Sequence, residues 1–132
     1  MTVPQILAGF DDADDKRQKA LANRFFDILN KEEYFDEPYT MPDNWPADSV
    51  RAEFRLTASG YCFDMQHYQD AVRFANGALP LLRGSGATQK IIDCLSNLSA
   101  ASARMADYAN AIRYGKEVLA MDRKTGDKSA IS

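Results

Sequence analysis

Apolar positions in this chain fall three and four residues apart over most of its length, a spacing that predicts helices. Between residues 16 and 31, Leu21, Phe25, Ile28 and Leu29, joined by Ala22 and Phe26, form one such stripe. Residues 88–104 carry another on Ile91, Ile92, Leu95 and Leu98. The clearest signal is a recurrence: residues 59–82 return forty residues later as 99–122. Met65, Tyr68, Ala71, Arg73 and Leu79 come back as Met105, Tyr108, Ala111, Arg113 and Leu119, and Val72 and Phe74 as Ile112 and Tyr114. A period of roughly 20 to 50 residues marks stacked helical repeats, none of which buries its apolar side alone. Within each copy an aromatic, a small residue three further on and an aromatic three after that make the stripe of a helix packed closely on a neighbour. Ala71 and Ala111 take the places where backbones approach.

The pattern predicts a helix from Asp48 or Ser49, as cap, to about Asp64, and a second from Tyr68 to Leu82. Pro80 should disturb the last turn of that second helix, and Gly84, Ser85 and Gly86 should end it. A third helix is expected over residues 88–104 and a fourth from Asp107 or Tyr108 to Met121, with Gly126 breaking the chain. Residues 127–132 correspond at the same offset to 87–92, which open a helix, so they are expected to start a further one, as a capping helix or in a longer protein. Val118 and Met121 should then help form a seat for another copy or another helix.

Ahead of the repeats, the apolar run of residues 3–10 leads into Asp11, Asp12, Asp14 and Asp15, which suit the positive end of the 16–31 helix. The spaced acidic loop of a calcium site is absent. Residues 34–48 (YFDEPYTMPDNWPAD) place prolines four apart, at 38, 42 and 46, and break the helical regime. Tyr34, Phe35, Tyr39, Met41 and Trp45 punctuate them, so this stretch is expected as an extended strap laid along the helices, anchored by Trp45 and Phe35.

Tyr108, Ala111, Gly115 and Val118 fall on second-helix positions of the tetratricopeptide (TPR) pattern, and Leu95, Leu98, Ser99 and Ser102 on first-helix positions. Tyr68, Ala71, Ala75 and Ala78, with Ala58, Ser59 and Cys62, repeat that fit. The chain therefore resembles a TPR protein over residues 49–132, although Arg55 and Arg123 stand where the family usually has a large apolar residue and a proline. The resemblance implies an all-α fold of TPR-like helical hairpins in a right-handed superhelical α-solenoid, with an N-terminal helix and the Pro/aromatic strap. It divides one domain into 1–33 (capping helix region), 34–48 (strap), 49–86 (first repeat), 87–126 (second repeat) and 127–132. It also implies a partner groove on the first helices, from Glu53, Leu56, Thr57, Gly60, Phe63 and Asp64 in one copy and Asp93, Ser96, Asn97, Ala100, Ala103 and Arg104 in the other. Leu56, Gly60, Ser96 and Ala100 occupy the slots where chaperone-adaptor TPRs carry a carboxylate clamp, so that activity is not implied. The order of strap, ALPLL at 78–82 and DRKTGD at 122–127 looks like the N-terminal TPR regions of bacterial signalling regulators.

Composition narrows the chemistry. The 132-residue chain has a formal net charge of −3. It therefore offers no basic field for nucleic acid or a membrane surface. Cys62 and Cys94, the two cysteines, form no CxxC pair and read as buried thiols. His67 is the one histidine, and no phosphate loop, nucleophile set or metal-spaced cluster accompanies it. No catalytic residue, cofactor or metal is expected. Arg51, Arg55, Arg73, Arg104 and Arg113 could bind carboxylates, but Arg73 and Arg113 recur with the repeat and read first as a solvated face. Residues 1–10 lack the pattern of a signal peptide, and the compartment stays open. The expected function is a protein or peptide interaction scaffold, with self-association through the strap or the last repeat face as the alternative.

Overall fold

The computed structural model describes the backbone of residues 1–131 and the side chains of residues 1–123. The described residues form α1 (Val3–Gly9), α2 (Asp15–Lys31), α3 (Ala47–Asp64), α4 (Tyr68–Ser85), α5 (Thr88–Arg104) and α6 (Tyr108–Ile131). No strand occurs among them, as the helical spacing implied. The chain divides into two compact units, Met1–Phe54 and Arg55–Ser132; α3 contributes residues to both.

In the first unit, side-chain caps set the helix boundaries. Residues 3–9, read from sequence only as an apolar run, close into α1 because Thr2 and Gln5 cap each other. Gln5 N donates to Thr2 Oγ1 at 3.4 Å and Thr2 N to Gln5 Oε1 at 2.8 Å. Asp14 caps α2 by accepting from Arg17 N at 2.8 Å. The stripe then buries Leu21, Ala22, Phe25, Phe26 and Leu29, with Ile28 half-buried. Phe10 stacks on Phe54 at a centroid distance of 3.9 Å, and Phe25 meets Phe54 edge-on at 5.0 Å. Buried Gln18 ties this core together, donating through Nε2 to the Phe10 carbonyl at 3.0 Å and accepting from Arg51 Nε at 2.8 Å. Arg51 also pairs with Asp48 at 2.9 Å and with Asp15.

The 34–48 strap lies against α2: Phe35 meets the Phe26 ring at 6.2 Å, as the sequence suggested, and further residues hold it. Met41 is 2% exposed, whereas Phe35 and Trp45 are only half-buried. Asn30 holds the strap by its backbone: Nδ2 donates to Tyr39 O at 2.7 Å, and Oδ1 accepts from Tyr39 N at 2.9 Å. Prolines leave extended backbone without helical partners, so a side-chain amide offering a donor and an acceptor tethers it better than an indole ring can. Tyr39 also packs on Phe26, with centroids 4.8 Å apart. The caps expected of Asp48 or Ser49 need the same correction. Pro46 O accepts from Ser49 N at 3.0 Å and Val50 N at 3.2 Å, so α3 starts just after Pro46 and Asp48 lies in its first turn.

In the second unit the two hairpins repeat bond for bond. Ser59 Oγ donates to Ala71 O at 2.7 Å, and Ser99 Oγ to Ala111 O at 2.8 Å. His67 N donates to Cys62 O at 2.8 Å, and Asp107 N to Ser102 O at 2.8 Å. Gln66 and Ala106 sit between these groups at φ 65° and 60°, completing a left-handed helix stop. The end of α2 uses the same device, with Glu33 at φ 56° and Tyr34 N donating to Leu29 O at 3.0 Å. Thus α2 stops as α3 and α5 do.

Gly86, at φ 71°, ends α4 where a glycine stop was expected, with Pro80 accommodated inside the helix, and the break expected at Gly126 is corrected. Gly126 lies inside α6, which runs on to Ile131, so no separate helix begins at 127. A proline near a helix end removes few bonds, and an interior glycine costs about 1 kcal/mol relative to alanine. Position 132 lies outside the described residues.

Candidate functional site

The residues expected to carry a groove lie on α3 and α5. In the second unit Leu56, Thr57, Gly60 and Phe63 are half-buried and Asp64 is exposed; on α5, Asn97 and Ala100 are half-buried and Asp93, Ser96, Ala103 and Arg104 are exposed. Glu53 belongs to the first unit, where its charge acts on Tyr39. The structure brings Phe63 and Arg104 together, the guanidinium lying 5.6 Å from the Phe63 ring centre and 5.9 Å from that of Tyr68. Phe63 and Tyr68 meet edge-on at 5.5 Å, closing this end of the face with an aromatic pair under a cation.

Ser96, Ala100 and Ala103 have a different neighbourhood. With Ser99 they line an open hollow of about 570 Å³ whose other wall is α6, through Ile112, Gly115, Lys116, Val118 and Leu119. Most of its lining is apolar or small. Ile112 is 57% exposed and Leu119 56%, and Tyr108 on the same helix is 63% exposed. Sequence periodicity treated these three as ordinary repeat positions and did not single them out. Their signal lay in the comparison of the two copies, one of which has α5 lying on it. Val118 lines the hollow, and Ile112 and Leu119 are its large exposed apolar residues.

Two smaller hollows lie elsewhere. One, of about 430 Å³, is bordered by Gln66, His67, Tyr68, Gln69, Asp70 and Met105. His67 serves the turn there by its backbone, donating to Cys62 O and accepting from Ala71 N at 3.0 Å. The other, of about 230 Å³, lies where the strap leaves α2, at Asn30, Glu33, Phe35, Asp36 and Pro38.

The electrostatics of the buried groups oppose reactivity. Burial pushes the Cys94 thiol up to about 12, Arg83 opposing and Asp93 adding to the rise. Burial raises Cys62 to about 11, with Asp70 adding and Arg73 opposing. Both thiols therefore stay protonated at neutral pH, and the nucleophilic thiolate is not formed. Cys94 Sγ donates instead to Ala75 O at 3.1 Å. Burial, then Glu53, raises Tyr39 to about 12. Arg73 and Arg113 lie over the adjoining Phe74 and Tyr114 rings, at 4.2 and 4.7 Å, in matching places on the two copies. Among the described residues no group of three or more His, Cys, Asp or Glu could hold a metal ion, and no helix is long and apolar enough to cross a membrane.

No family model, curated protein or solved structure matches this chain.

Proposed function

We propose that this chain is a non-catalytic, TPR-like interaction scaffold, its hairpins stacked as a right-handed α-solenoid, that binds a protein or peptide. The observation that carries the proposal is the pairing of a hairpin duplicated bond for bond with an apolar hollow left open on the second copy. Stacked repeats present extended surfaces to partners, and the protonated thiols offer no alternative in nucleophilic chemistry. The order of strap, ALPLL and DRKTGD motifs supports a place as the sensory or regulatory part of a larger bacterial regulator. Selection of a displayed peptide library on the immobilised chain tests the binding role. Enriched peptides should lose binding when Phe63 or Leu119 is replaced, and failure to enrich any peptide would sink the scaffold.

Self-association is the second reading, favoured by the exposure of Tyr108, Ile112 and Leu119 on one helix. Light scattering across a dilution series decides it. A dimer that Leu119→Asp dissociates supports self-assembly, and a monomer at every concentration removes it.

A further inference from the structure

The two copies can be compared position by position, and they differ in what lies on them. On the first copy α5 packs against α4, with the Cys94 thiol donating to the Ala75 carbonyl at 3.1 Å and Arg104 over the Tyr68 ring at 5.9 Å. There Ala75 and Ala78 are fully buried, and Tyr68, Val72 and Leu79 half-buried. Forty residues on, the counterparts Gly115 and Val118 are only half-buried, and Tyr108, Ile112 and Leu119 are exposed. Ser59 is fully buried and Ser99 half-buried, though both donate the same bond. These differences along α4 and α6 have the same sign, so the hollow between α5 and α6 reproduces the seat that α5 occupies, translated by one repeat.

We propose that this hollow docks an amphipathic α-helix of a partner protein, held in the register that α5 holds on α4. The surface continues an interface already built within the chain, which defines the ligand. Its apolar stripe follows α5, where Ile91, Cys94, Leu95 and Leu98 are buried. At the position of Cys94 it carries a small donor, serine, threonine or cysteine, facing the Gly115 carbonyl, the counterpart of Ala75. Asn76 is neutral on the first copy, whereas its counterpart Lys116 is the charged residue lining the hollow. The ligand therefore carries a carboxylate beside that donor, as α5 carries Asp93 beside Cys94. The proposal rests on the scaffold reading and names the chemistry of its partner.

The probe is a synthetic peptide of residues 88–104, capped at both ends and labelled for fluorescence anisotropy, titrated with the whole chain. The peptide should bind and gain helicity. Ile112→Asp and Leu119→Asp replace exposed side chains, so melting should be unchanged while affinity falls about tenfold or more. Raising salt should weaken binding to the native chain more than to Lys116→Gln. Absence of binding overturns the proposal, and so does binding indifferent to Ile112→Asp and Leu119→Asp. Binding that is lost on Phe63→Ala but not on those substitutions also overturns it, while leaving a scaffold that works through its first-helix face. Concentration-dependent dimerisation abolished by Leu119→Asp would assign the hollow to a second copy, and the partner-helix proposal would fall.

Discussion

Ser59 and Ser99 donate nearly identical hydrogen bonds, yet Ser59 is fully buried and Ser99 half-buried. A buried bond is stronger, and its loss is harder for water to make good. Ser59→Ala is therefore expected to lower stability by about 1 to 2 kcal/mol and Ser99→Ala by about 0.5 to 1, read from urea midpoints. Equal losses would show that α5 does not desolvate the first bond. The thiols add a pH dependence. An unfolded chain releases its cysteine protons near 9, whereas the folded chain holds them to about 11 at Cys62 and about 12 at Cys94. Because the folded values are raised, the stabilisation is complete below about pH 9 and is lost as pH rises through the folded values. Urea midpoints should stay flat to about pH 9 and then decline, less steeply in Cys94→Ala. A decline beginning below pH 8 would point to some other group.

At the scale of elements, the strap and the helix stops behave differently because their information lies in different places. Met41 is the buried anchor, so Met41→Ala is expected to cost about 2 to 5 kcal/mol, whereas Trp45→Ala, at a half-buried position, should cost about 1 to 2. Asn30→Ala should cost about 1 to 3 kcal/mol by orphaning both backbone groups of Tyr39. Thermal melts of the three variants check the ranking, and a Trp45→Ala effect larger than that of Met41→Ala would restore the indole as the anchor. Sequence made α5 legible to its end residues, and the stripe of α2 nearly so, because apolar spacing is set by the helix itself. It did not show α1, whose existence depends on the reciprocal bonds of Thr2 and Gln5 more than on periodicity. Nor could it rank Trp45 against Met41, since which side of an extended segment faces the helix is decided by Asn30, nine residues away from Tyr39. The hollow was half legible: Ser96, Ala100 and Ala103 were named as first-helix residues, but Ile112 and Leu119 were not, because exposure depends on what packs over a stripe.

For the whole molecule, the consequence reaches back to Gly86. That residue ends α4 at φ 71°, and its counterpart forty residues on is Gly126, which lies within α6. Glycine enters the left-handed region with little penalty, so α6 carries a stop that the present chain leaves unused. On the scaffold proposed above, length would change by whole forty-residue units, with Gly126 as the junction. Inserting a second copy of residues 87–126 directly after Gly126 should convert that glycine into a stop and lay a new first helix in the hollow. The urea midpoint of the lengthened chain should rise, since each added repeat contributes an interface with its neighbour. An insert half that long would put a turn where a stripe must pack, and its midpoint should fall. If both inserts behaved alike, the forty-residue spacing would be a resemblance between two stretches of sequence and not a unit of construction.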